Sequence, residues 1–143
     1  MRIIALAFFL LTVEVAADPI YHEKKYPSGN DPFPVVILLH SSGGFKSNYL
    51  MNYIGKDYLN AGFAVYCPDF FKRHGITTKT RGKTWTTFRK PIEKELSELV
   101  KAIKKDKKVD SKNIFAVGFS NGGYWATYLA GSKQVNAASS HYG

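Results

Sequence analysis

Apolar residues along this chain fall into two recurring patterns: short unbroken runs, and stripes at helical spacing. Residues 35–39 and 63–67 are runs of aliphatic and aromatic side chains with no polar alternation. Such runs suit strands covered on both faces, as in a parallel sheet. Ile114 opens a third run that enters a glycine turn, and residues 135–142 form a further strand candidate. Helical spacing appears first at Leu50, Tyr53, Ile54, Tyr58 and Ala61, with Ser47 or Asn48 as N-cap and Gly62 placed for the residue past the C-terminus. A second stripe, Ile92, Leu96, Leu99, Val100 and Ile103, is opened by Pro91. Its acidic residues Glu93, Glu95 and Glu98 come early and Lys101, Lys104 and Lys105 late, an order that complements the helix dipole. Residues 121–130 continue as a third helix. Residues 18–34 read as an irregular lead-in with one short strand near 20–23, residues 70–90 as a long loop with at most a helical turn, and residues 106–112 as a charged turn.

The resulting alternation of strands and helices predicts an α/β fold, a mostly parallel sheet with helices on both faces. Right-handed crossovers bring the C-terminal ends of its strands to one edge, where ligands usually bind. His40, Asp69, Ser120 and His141 all fall at or just past those ends.

Chemistry concentrates at Gly118-Phe119-Ser120-Asn121-Gly122, a G-x-S-x-G sequence between a predicted strand and a predicted helix. A serine on so sharp a corner needs small neighbours, which Gly118 and Gly122 supply, while Gly123 lets the helix approach the sheet. The hydroxyl is then presented at the strand end beside the first N–H groups of the helix. Ser120 is the candidate nucleophile. The backbone N–H of Asn121 and one from Ser41 or Ser42 are the candidate oxyanion donors, with Gly43 and Gly44 allowing close backbone approach. Acyl transfer also needs a base and an orienting carboxylate, which in this arrangement follow the serine along the chain. After Ser120 there is no Asp or Glu, and the only histidine is His141. His40 could stand in as base, although a brace beneath the oxyanion loop suits it better, and Asp69 suits a turn cap. His40, Asp69, His141 and Tyr142 are candidates to line the pocket; His22 and His74 read as solvated loop residues.

Composition adds three points. The formal net charge is +9 and the pI near 9.6. Lys72, Arg73, Lys79, Arg81, Lys83, Arg89 and Lys90, with Trp85 and Phe88 among them, make a basic segment without an acidic residue. A solvated loop over the active-site edge accounts for it. The alternative is a non-catalytic exported protein that binds anionic polymers or surfaces through residues 72–90. No nucleic-acid fingerprint, metal-ligand cluster or phosphate loop is present in the sequence, so nucleic acid, metal and organic cofactors are not expected. The single cysteine, Cys67, falls in a predicted buried strand and suits a small inert core thiol. At the N-terminus a basic start, an apolar run over 3–13 and Val15-Ala16-Ala17 predict a signal peptide over residues 1–17, export, and no membrane span after cleavage.

Three stretches, VVILLHSSGGFKSNYL, AGFAVYCPDFF and VDSKNIFAVGFSNGGYWA, together resemble the dienelactone hydrolase family of α/β-hydrolases. The resemblance spans residues 33–143 and implies a partial α/β-hydrolase domain over residues 35–143. It also implies a small-molecule ester or lactone substrate; by its charge, the basic loop could draw anionic ones toward Ser120. Ser120 matches the family nucleophile, and Asn121 with the Ser41-Ser42 loop matches its oxyanion hole. The namesake enzymes carry a cysteine nucleophile and a glutamate near the place of His40, so Ser120 resembles their esterase-like relatives. Family members continue through further strands that carry the acid and the base. The resemblance therefore implies a C-terminally truncated member, inactive as it stands, in which the strand at 135–142 would leave a long apolar edge uncovered.

Overall fold

The computed structural model describes residues 20–46 and 48–143. The proposed signal peptide and the Ser47 cap lie outside them. The strands are β1 (His22–Lys25), β2 (Phe33–Leu39), β3 (Ala64–Pro68), β4 (Val109–Phe119) and β5 (Ala137–His141). The α-helices are α1 (Gly55–Asn60), α2 (Arg89–Lys105) and α3 (Asn121–Gly131). The strands form one sheet in the order β1-β3-β2-β4-β5. Only β1 runs antiparallel to its neighbour; the other pairings are parallel.

The unbroken apolar runs are buried on both sides. From β2, Val35, Ile37 and Leu39 enter one core layer with α2 and α3, while Val36 and Leu38 enter the other with Leu50 and Met51. β3 divides the same way, Ala64 and Tyr66 against Val65 and Cys67. Alternation in a strand sends successive side chains to opposite faces, so a run that is apolar throughout needs two layers of cover. In α2 all five stripe residues are buried. Burial pushes the Cys67 thiol up, and its sulfur donates to the Met51 sulfur at 3.5 Å.

Several local readings change. The first helical stripe opens as a widened π-type segment (Asn48–Ile54), and only then becomes α1. A Cβ at Gly55 would stand 2.9 Å from the Leu50 carbonyl oxygen, so the junction is tight. The wider turn shifts the helical phase: Met51 is buried, whereas Tyr53 is 72 % exposed and stacks on Tyr49. Past α1, Gly62 at φ +87° lets Gly62 N–H reach the Leu59 carbonyl and Phe63 N–H reach that of Tyr58, a Schellman closure. Helix α2 begins at Arg89, which places Pro91 in the first turn, where its missing N–H costs nothing. β4 begins at Val109 within the expected charged turn, because Val109 pairs with Phe33 across an irregularity in the β2 register. Two short 3-10 turns, Lys72–His74 and Arg81–Thr84, punctuate the long loop. His22 and His74 are not solvated loop residues. His22 opens β1 and stacks on Tyr66; His74 stacks on Phe88 and meets Glu95 Oε2 at 3.1 Å. The edge strand β5 is exposed along its whole length, and it presents small and polar residues rather than an apolar edge.

Candidate active site

Glycine contacts explain the corner between β4 and α3. A Cβ on Gly118 would lie 1.9 Å from the Gly122 carbonyl oxygen, and one on Gly122 would lie 2.1 Å from that of Leu39 and 2.7 Å from that of His40. The corner is thus pressed against the end of β2, leaving no room for a side chain at either position. Gly123 stands against the end of β5, where a Cβ would come 2.5 Å from Ser140 Oγ. Ser120, held between these contacts, takes φ 51° and ψ −112°. A non-glycine residue there stores about 1–3 kcal/mol of backbone strain, held in place by its surroundings. Its N–H donates to the His141 carbonyl at 2.7 Å, and its own carbonyl accepts from Gly123 N–H at 2.8 Å. The side chain is exposed and makes no cap bond to α3.

Facing this corner is the turn after β2. Gly44 N–H donates to the Ser41 carbonyl at 3.0 Å and Gly43 N–H to Ser41 Oγ at 3.2 Å. Those bonds use the N–H groups of the two glycines; none of the turn's bonds uses those of Ser41 or Ser42. In α3 the N–H of Asn121 is the first of the helix and has no carbonyl a turn earlier to bond. The ends of β2 and β4 thus lie side by side, with Leu39 paired to Gly118 and Gly122 against the Leu39 and His40 carbonyls. A cleft of about 270 Å³ opens alongside, lined by His40, Ser41, Gly43, Gly44, Lys46, Tyr49, Leu50 and Phe119.

His40 is buried beneath the turn. Its ring stacks on Phe70 at 3.9 Å with an interplanar angle of 3°, and Phe71 meets it edge-on. Its Nδ1 bonds the Ser41 carbonyl oxygen at 2.8 Å. Its Nε2 lies 3.6 Å from Asp69 Oδ1, within ion-pair range but beyond hydrogen-bond length, and has no hydrogen-bond partner. Asp69 Oδ1 accepts from the N–H groups of Phe71 and Lys72, each at 3.1 Å. Burial pushes the Asp69 carboxyl up, but His40 and those two N–H groups outweigh it and hold the carboxyl below its ordinary range.

Neither strand-end imidazole bonds the Ser120 hydroxyl. The His141 ring is exposed, stacks on Phe119 at 5.2 Å and meets Ser139 Oγ through Nε2 at 3.1 Å. Of the candidates for pocket lining, only His40 lines the cleft; Asp69 is occupied in its turn, and Tyr142, 92 % exposed, points to solvent at the end of β5. Among the described residues no three His, Cys, Asp or Glu side chains gather in a way that could hold a metal ion.

Sequence reasoning missed two groups of residues around the corner. One is aromatic: Phe70 links His40 to Trp125, whose ring lies 6.2 Å away. The other is Thr84, wholly buried in a loop without periodicity, whose Oγ1 accepts from Asn121 Nδ2 at 3.1 Å. The basic segment also differs in part from its sequence picture, because acids of α2 pair with three of its seven basic residues, two of which belong to α2 itself. Glu95 pairs with Arg73, and Glu93 pairs with Arg89 and Lys90.

The profile of the dienelactone hydrolase family matches residues 22–143. The chain belongs to that family. Solved structures of the same fold include a chain assigned as a dienelactone hydrolase from Klebsiella pneumoniae subsp. pneumoniae (20 % identity, TM-score 0.65, 85 % of this chain and 53 % of that one). A dienelactone hydrolase-like promiscuous phosphotriesterase from metagenomic libraries shares 17 % identity at TM-score 0.63, over 82 % of this chain and 51 % of its own. Est1E from Butyrivibrio proteoclasticus shares 18 % at TM-score 0.60, over 82 % and 44 %. The chain thus spans about half the length of these solved structures. No curated protein matches it significantly. No described helix is long and apolar enough to cross a membrane.

Proposed function

We propose that the gene product is an exported serine hydrolase that cleaves a carboxylic ester or lactone through an acyl-enzyme on Ser120. The observation that carries this reading is the conformation of Ser120: an exposed hydroxyl on a strained, glycine-walled corner. A surface serine without a role would gain nothing from that strain. In the proposed reaction Ser120 Oγ attacks the carbonyl carbon while its proton passes to a general base. The N–H groups of Asn121 and of Ser41 or Ser42 face the developing oxyanion, and the alcohol leaves with a proton. Water then attacks the acyl-enzyme, releasing the acid and restoring the serine. We assign the base and its carboxylate partner to the part of the relatives' length that this chain does not span, because neither His40 nor His141 bonds the hydroxyl. The buried His40 instead braces the oxyanion turn through the Ser41 carbonyl.

The Arg73–Glu95 ion pair and the pairing of Arg89 and Lys90 with Glu93 within α2 engage three of the segment's seven basic residues, which weighs against the polyanion-binding alternative. Hydrolysis of short-chain aryl esters by the full gene product, including any residues encoded after Gly143, separates the two. A hydrolase loses turnover in Ser120→Ala and shows little dependence on salt. A polyanion binder ignores that substitution, and its affinity falls steeply as salt rises.

A further inference from the structure

Behind the corner runs a line of buried hydrogen bonds that the nucleophile reading leaves unused. Trp125 Nε1 donates to Asn121 Oδ1 at 3.1 Å, Asn121 Nδ2 donates to Thr84 Oγ1 at 3.1 Å, and Thr84 Oγ1 donates to the Arg81 carbonyl at 2.7 Å. The direction is forced. An indole N–H can only donate, so the amide oxygen must face Trp125 and the amide NH₂ must face Thr84. The threonine's single proton is then left for Arg81. All three side chains are within 1 % of complete burial, so no water competes for these bonds. The line joins the first residue of α3 to the Arg81–Thr84 turn of the basic loop.

We infer that Thr84 is a positioning residue of the proposed active site. By fixing the Asn121 side chain it orients the adjoining backbone N–H, the one that follows Ser120, and it ties the basic loop to the same corner. This rests on the serine-hydrolase reading above. The physical argument starts from strain: Ser120 keeps φ 51° only while its surroundings over-determine it. The glycine contacts and the bond to His141 hold it from the sheet side; the Asn121–Thr84 bond holds it from the loop side. Without the Thr84 hydroxyl, a buried amide N–H is left without its acceptor and the first residue of α3 loses its side-chain tie to the loop. Apolar packing at these positions could fill the same space without fixing an angle. An angle is what an oxyanion donor requires.

The test uses the full gene product, wild type and two variants. Thr84→Val keeps the shape and removes the hydroxyl; Thr84→Ser keeps the hydroxyl. Inactivation by a fluorophosphonate is followed to separate the maximal rate from the half-saturation concentration. The maximal rate should fall on the order of tenfold in Thr84→Val with half-saturation unchanged, and Thr84→Ser should restore it. Amide hydrogen exchange should rise about tenfold over residues 120–125 and 78–86 in Thr84→Val, with residues 35–39 unaffected. Should Thr84→Val fail to fold, Trp125→Phe cuts the same line at its other end and carries the test. A labelled wild type with an equally fast variant and unchanged exchange overturns the positioning role alone. A wild type that is never labelled sinks the nucleophile reading, and the positioning role with it.

Discussion

At Ser120 and its flanking glycines, single atoms decide the outcome. Adding one carbon at Gly122 places it 2.1 Å from a backbone oxygen of β2, which cannot swing away as a side-chain tip could. Gly122→Ala should therefore cost about 3 kcal/mol or more in urea unfolding, at the upper end of overpacking losses. Gly131→Ala meets nothing within 4 Å at the end of α3. It should be neutral or stabilising by up to about 1 kcal/mol. Ser120 gives a complementary expectation. Ser120→Gly relieves the strain at φ 51°, whereas Ser120→Ala keeps it. The glycine variant should be more stable than the alanine variant by about 1 kcal/mol, after allowing for glycine's greater freedom when unfolded. Equal stabilities would show that the corner is not strained.

Among the elements, the lead-in is tied down by charge. Asp106 follows α2 directly and accepts from Lys24 Nζ at 3.0 Å, Tyr66 Oη at 2.8 Å, the Lys108 N–H at 3.0 Å and Tyr26 Oη. Burial raises its carboxyl pKa, but these donors outweigh that and hold it well below the ordinary range; Asp69 is held down in the same direction. A carboxyl depressed in the fold contributes stability that is fully present above its unfolded pKa, about 4, and is lost as pH falls through the folded value. Acid unfolding should therefore steepen below about pH 4. Asp106→Asn should cost on the order of 2 kcal/mol at neutral pH, with the gap from wild type shrinking towards pH 2. A gap that is constant with pH would contradict this. The same strands show what the sequence could and could not reveal. The two-faced runs at 35–39 and 63–67 and the stripe of α2 were legible because burial of apolar area leaves a periodic trace. The π-type segment was not, because Tyr53 and Met51 exchange roles only once the turn has widened. The early start of β4 was hidden too, since Asp110 to Asn113 are polar, and Ser111 to Asn113 are exposed, whether in a strand or a turn.

For the molecule as a whole, two cores on opposite faces of the sheet leave one edge where four strand ends meet, and the candidate site lies there. G-x-S-x-G and the His40 turn could be read in the sequence because glycine spacing records a steric need. Thr84, Phe70 and Trp125 could not, because their roles depend on contacts between residues distant in the chain; Asn121 and Thr84 are 37 positions apart. The central claim is that Ser120 is the reacting group. The most direct measurement is peptide-mapped mass spectrometry of the full gene product after exposure to a fluorophosphonate. The account predicts one adduct, on Ser120, that disappears in Ser120→Ala. An adduct on another residue, or labelling that survives the substitution, would contradict it.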